Sequence, residues 1–172
     1  MKSFLQMLFL AVFLFNSSIA SASPVSVVTS NDCKKLAGTD RPFMLVLKKG
    51  ESLTKAIVLC VKDAGFPSVS FYGLGALMNP SLRYFSYTAK RYETKNFLGM
   101  FEIDSLDGDV TQLEGKPFVH AHVTLSDSTY RVIGGHLGEG VVGLTAEITV
   151  IPFQNKIERK MEEGLEASLI YP

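Results

Sequence analysis

Hydrophobic and polar positions alternate along most of this chain, and one stretch breaks into a helical rhythm. Phe43 to Leu47 (FMLVL) is an apolar run of strand length, closed off by Gly50. Leu53, Ala56, Ile57, Cys60, Val61 and Ala64 then recur at three- and four-residue intervals, the buried stripe of an amphipathic helix. Ser52 is placed to cap that helix and Gly65 to stop it. Beyond it the strand pattern returns. Val69–Leu77 and Leu82–Thr88 predict strands parted by a turn at Asn79-Pro80. Arg91–Asn96 predicts a short strand or a loop. Phe97–Leu106 predicts a strand ending in an Asp107-Gly108 turn, and Val110–Leu113 a short strand after it. Phe118–His136 reads as a hairpin, Gly138, Gly140 and Gly143 as a flexible connector, and Leu144–Phe153 as a last strand. From Gln154 the chain is charged and is expected to lie over the surface, docking Leu169-Ile170-Tyr171. The sum is an α+β domain: a mostly antiparallel sheet of about seven strands with one main helix packed on it.

The first 22 residues follow neither rhythm. Lys2 precedes an almost wholly apolar run from Phe4 to Phe15, and Ala20-Ser21-Ala22 has the small-x-small form of a signal-peptidase site. The run is shorter than the roughly 20 residues a bilayer span needs. It reads as a cleaved signal peptide over 1–22, with an uncleaved anchor as the alternative. The signal implies an exported protein, periplasmic or secreted, with no membrane association after cleavage. Residues 23–40 form an N-terminal arm, and the folded domain occupies 41–172. In an oxidising compartment Cys33 and Cys60 are free to form a disulfide. Cys60 also lies on the apolar helix stripe, where a free thiol packs as a small hydrophobe.

Charge narrows the function. Lysine plus arginine and aspartate plus glutamate both number 17, so the formal net charge is zero. There is no basic excess to neutralise phosphates, and no DNA partner is expected.

The chemistry-bearing residues are the three histidines, all in FVHAHVTLSDSTYRVIGGH. His120 and His122 are two apart on a strand and share a face. His136 joins them if it stands opposite either one. A three-residue loop at Asp127-Ser128-Thr129 sets it opposite His120. A loop of four, Asp127–Tyr130 or Ser126–Thr129, sends it to the other face, and a bulge at Gly134-Gly135 restores the alignment. Imidazole suits zinc and other divalent transition metals. Three His ligands with a fourth position open is the arrangement of a catalytic zinc. Glu102 and Glu147 are the candidates for a base or a carboxylate supporting a ligand. The alternative is three structural histidines filling sheet positions or an interface.

Four segments, GALMNPSLRYF, LGMFEIDSLDGDV, KPFVHAHVTLSD and VIGGHLGEGVVGLTAEITV, resemble in content and order the motifs of the PPC domain, which plants and prokaryotes share. The closing MEEGLEASLI is similar to the end of prokaryotic members. The resemblance covers about Arg41 to Tyr171. It implies an α/β domain with a largely antiparallel sheet that assembles as a homotrimer. It also implies metal at His120, His122 and His136, which match the family's His-x-His and Gly-Gly-His positions. Plant members carry AT-hook segments, but no Arg-Gly-Arg-Pro core exists here. Gly99, Phe101, Glu102 and Ile103 match a plant protein-contact segment in which Met100 replaces an arginine. The expectation is an exported, homotrimeric binding module with a three-histidine metal site, presenting itself to a small-molecule or protein ligand. The alternative is a metal-dependent hydrolase or lyase acting on a small polar substrate.

Overall fold

The computed structural model describes residues 24–171; the expected signal peptide lies outside them. The arm supplies β1 (Ser26–Thr29) and a short 3-10 helix (Ser30–Leu36). After it come β2 (Phe43–Lys48), α1 (Leu53–Ala64), β3 (Ser68–Ser86), β4 (Arg91–Asn96) and β5 (Met100–Leu113). The chain continues through β6 (Lys116–Ser126), β7 (Val132–Phe153), β8 (Glu158–Met161) and β9 (Ser168–Ile170). Among the described residues no helix is long and apolar enough to cross a membrane.

The fold is one mixed sheet of nine strands rather than about seven. Most pairs are antiparallel, but β1 with β2 and β5 with β8 run parallel. β1, β8 and β9 come from the two ends of the described residues, where segments of three or four residues are too short to show a strand rhythm. β3, β5, β6 and β7 pair in a closed circuit: β3 with β5 and β7, and β6 with β5 and the start of β7. That closure brings the histidine hairpin against β3.

The helix is as its pattern predicts. All six stripe residues of α1 are buried, over a core that includes Leu45, Leu47, Val69, Ile148 and Val150. Fully burying a Leu, Ile or Val stabilises by roughly 1.5–3 kcal/mol each, enough to specify this face. Gly65 ends α1 in the left-handed region at φ 73°, its N–H reaching back to Lys62. Ser52 occupies the N-cap position, but its hydroxyl makes no capping bond and is buried without a partner. Cys60 is disulfide-bonded to Cys33, which ties the 3-10 helix to α1 with Cα atoms 5.1 Å apart.

Three predicted breaks are absent, each for a physical reason. Asn79-Pro80 is a bend inside β3. Asn79 holds φ 50°, its side chain accepts from Gly99 N–H at 2.9 Å, and its own N–H donates to the Gly99 carbonyl at 2.9 Å. Asp107-Gly108 is the middle of β5. A β-carbon on Gly108 would lie 2.6 Å from both the His120 carbonyl oxygen and the Phe71 ring, so this glycine serves close packing and not a turn. The glycines after His136 are likewise strand, because β7 runs unbroken to Phe153 against β3.

Candidate metal centre

The hairpin loop determines where His136 lies. β6 ends at Ser126 and β7 begins at Val132, so the loop has five residues, Asp127 to Arg131. Neither the three-residue nor the four-residue loop forms. Asp127 sets the length. Its carboxylate accepts from the Thr129 N–H at 2.8 Å and hydroxyl at 2.6 Å, and from the Arg131 N–H at 3.2 Å. The Arg131 guanidinium adds bonds of 3.0 and 2.8 Å. These bonds hold the Asp127 carboxyl well below the usual carboxylate range, those from Thr129 most strongly. The register that results is Ser126 opposite Val132 and His122 opposite His136, with no bulge between. His136 therefore joins the pair by standing opposite His122 and not His120.

Neighbouring strands extend the row. Asp109 stands opposite His120 and Asp107 opposite His122 across β5. Arg83 stands opposite His136 across β3. Residues paired this way share a face, so one row crosses four strands. Within it, one ring nitrogen from each histidine lies within 4.8 Å of the others. Ring centroids are 5.0 Å apart for His120 and His136, 5.4 Å for His122 and His136, and 5.5 Å for His120 and His122.

The three imidazoles sit at different depths: His122 exposed, His120 half-buried, His136 buried at 9% exposure. Burial first, then the neighbouring histidines and Arg83 and Arg159, push the His136 imidazole down to about 4. Burial and then His120 also lower His122. His136 is thus neutral at neutral pH, and it carries no proton that an incoming cation must displace. Its Nδ1 is buried without a hydrogen-bond partner, and Tyr92 covers it with ring centroids 4.7 Å apart. An unpaired buried nitrogen costs roughly 1–3 kcal/mol, a cost that a metal ion would remove. Three imidazoles that converge, one with an orphaned nitrogen, fit a divalent transition metal.

Behind His120 lies a group that the sequence reading did not single out. Arg159 of β8 is buried, at 7% exposure. Its Nη2 donates to both Asp109 carboxylate oxygens at 2.9 Å and lies 3.1 Å from His120 Nδ1. Its Nε donates to the Thr111 hydroxyl at 2.8 Å. Burial alone would push the Asp109 carboxyl up. The nearby His120 ring and the hydrogen bonds and charge of Arg159 outweigh burial and hold it below the usual range. The available signal was the alternation of Asp109 and Thr111 on one face of a strand. Arg159 had no local signal, because its place depends on β8 docking against β5.

The two glutamates expected beside the metal are not in the cluster. Both are exposed. Glu147 stands opposite Val46 and Leu74 and lines a separate depression with Met44 and Tyr72. Glu102 pairs with Ala76 and Ser126, at the far end of β5 from Asp109. A cleft of about 620 Å³ opens between α1 and the sheet, and His136 lines it. Lys55, Lys62 and Arg83 are the other charged or titratable residues of its lining, with Val58, Leu59, Phe118 and Leu137 supplying apolar walls.

A strand-rich domain carrying a three-histidine centre beside a cationic cleft defines a class, and comparison with known proteins supplies the family. The model of the Plants and Prokaryotes Conserved (PCC) domain matches residues 35–154, and the chain belongs to that family. A plant- and prokaryote-conserved protein of Pyrococcus horikoshii is 37% identical, covering 77% of this chain and 92% of its own, with a TM-score of 0.71. A protein of Archaeoglobus fulgidus described as metal-containing is 30% identical over 77% of this chain and 94% of its own, TM-score 0.71. A protein of Ralstonia eutropha JMP134 described as a candidate DNA-binding protein is 28% identical over 75% and 90%, TM-score 0.69. Curated protein sequences give no match. The Ralstonia description conflicts with the expectation that this chain has no DNA partner, and overturns it. Net charge is a whole-chain sum, and it does not register cations gathered along one cleft.

Proposed function

We propose that this chain is a metal-binding module whose three histidines, His120, His122 and His136, hold a divalent transition metal, with zinc as the leading candidate. The observation that carries the reading is their convergence, one nitrogen from each lying within 4.8 Å of the others. The Archaeoglobus relative described as metal-containing supports it. The cleft beside His136 is where a small-molecule ligand would enter. Its charged groups are lysines and an arginine, so the ligand is read as an anion with an apolar part. The chain is further read as a homotrimer, which the PPC motifs support. Export, periplasmic or secreted, is supported by the pattern of residues 1–22 and by the Cys33–Cys60 disulfide.

The second reading is a metal-dependent hydrolase or lyase acting on a small polar substrate. It is favoured by a cluster of three histidines that includes no carboxylate ligand. A metal held this way lowers the pKa of a bound water to about 7. In that reading His136 and its partners hold the ion, and the cleft cations orient the substrate.

Melting curves with added Zn²⁺, on the native protein and on His122→Ala and His136→Ala, test the metal reading. Native protein is expected to gain melting temperature with Zn²⁺ while both variants gain none. An equal response in all three would place the metal elsewhere. Salt-dependent binding of duplex DNA that is lost in Lys55→Ala/Lys62→Ala would assign the cleft to phosphate backbones instead of a small anion.

A further inference from the structure

The arginine that contacts the histidine cluster lies outside the segment that the family model matches. That model ends at residue 154, whereas Arg159 belongs to β8. β8 lies parallel to the end of β5, with Glu158 beside Gln112 and Arg159 beside Leu113. From there the guanidinium turns inward and is fixed on every side. It grips both Asp109 oxygens at 2.9 Å, donates to Thr111 at 2.8 Å and to the Ser168 carbonyl of β9 at 3.3 Å, and lies 5.7 Å from the Phe118 ring centroid. A buried side chain with this many fixed partners is an anchor. What it anchors is the carboxylate facing His120.

We propose that Asp109, clamped by Arg159, is the positioning group that turns His120 toward the metal, so that the C-terminal strand pair β8–β9 is part of the metal site. Arg159 Nη2 lies 3.1 Å from His120 Nδ1, and Asp109 Oδ2, at 3.8 Å, is the acceptor that faces the same nitrogen. With Nδ1 engaged there, Nε2 is the nitrogen left for the ion. An ion on Nε2 requires the imidazole proton to sit on Nδ1, and Asp109 is the acceptor that closes on it from 3.8 Å, fixing that tautomer and making Nε2 a better ligand. Arginine cannot do this itself, since it only donates. Its part is to hold Asp109 from Nη2 while Thr111 fixes Nε and the Ser168 carbonyl fixes Nη1, a planar three-nitrogen arrangement that a lysine does not reproduce. By linkage, metal at His120 and docking of β8–β9 then stabilise each other.

The inference rests on the metal reading, and one experiment separates the two. Zinc affinity is measured by chelator competition on native protein, Asp109→Asn, Arg159→Lys and the exposed neighbour Lys160→Ala, with the metal-free melting temperature of each recorded alongside. Asp109→Asn is expected to bind zinc about 10- to 100-fold more weakly, the range for lost partners of ligating histidines. Arg159→Lys is expected to weaken it in the same direction, and Lys160→Ala to leave it unchanged. Zinc is also expected to slow amide exchange in 158–170 of the native protein. An Asp109→Asn affinity within twofold of native, or a loss matched by an equal fall in metal-free melting temperature, overturns the positioning role. If Asp109→Asn does not fold, Arg159→Lys decides by the same two criteria. No zinc binding by native protein overturns the metal reading and this inference together, whereas tight native binding with indifferent variants overturns this inference alone.

Discussion

At the scale of single residues, His136 is the one whose surroundings are most specific. Its nitrogen is buried and unpaired, and its imidazole is pushed down to about 4 against an ordinary 6.5. Between those values the unfolded chain binds a proton that the folded chain refuses, so stability rises with pH across that window. The metal-free protein is therefore expected to hold its full stability above about 6.5 and to lose it as pH falls toward 4. The loss from this residue is roughly 3 kcal/mol. Denaturant melts at pH 7 and pH 4.5 check this, with His136→Gln flattening the difference. A pH response that is the same in His136→Gln would assign the loss to other groups. At this scale the sequence was informative: His120 and His122 had to share a face, and His136 could join them only by standing opposite one of them. It lacked the loop length, since a carboxylate such as Asp127 closes three, four or five residues according to how many donors it gathers.

At the scale of elements, glycine was the main source of misreading. In sequence a glycine that ends a strand and a glycine that lets two strands approach look alike. Asp107-Gly108 carries a turn signal, yet it sits mid-strand because a β-carbon at Gly108 would meet the backbone of β6 and the Phe71 ring. Gly108→Ala is expected to destabilise the protein by about 1–3 kcal/mol, as overpacking does in a tight core. It should also weaken zinc binding, since the clash is with the His120 carbonyl. Equilibrium unfolding and zinc titration of the same variant check both, and an unchanged midpoint would contradict the packing account. The helix was legible because its six-residue stripe has one physical meaning. The hairpin loop was not, and Asp127→Ala tests it. Faster amide exchange at Thr129 and Arg131 is expected, with weaker zinc binding as the register loosens. Unchanged exchange would mean that the loop does not depend on Asp127.

At the scale of the whole molecule, the segments at both ends of the described residues are structural. β1 extends the sheet beside β2, and the Cys33–Cys60 disulfide closes a separation of 27 residues. Cross-linking a loop of that length stabilises by about 3–4 kcal/mol in the chain-entropy picture. Reduction, or Cys33→Ser/Cys60→Ser, is expected to lower the unfolding free energy by about that amount. An unchanged unfolding midpoint would contradict it. β8 escaped the sequence reading because a polar strand shows no alternation until its partner is known, and β9 because three residues are too few to show a period. Sequence similarity carried what pattern could not, since the PPC motifs connected His120, His122 and His136 before their register was in hand. The central claim is that these three residues form a metal centre. Elemental analysis of untagged protein, purified without chelator, tests it most directly. The expected result is close to one divalent transition-metal ion per chain, lost in His122→Ala and His136→Ala. Native protein that carries no metal, and whose melting temperature does not respond to added Zn²⁺, would contradict it.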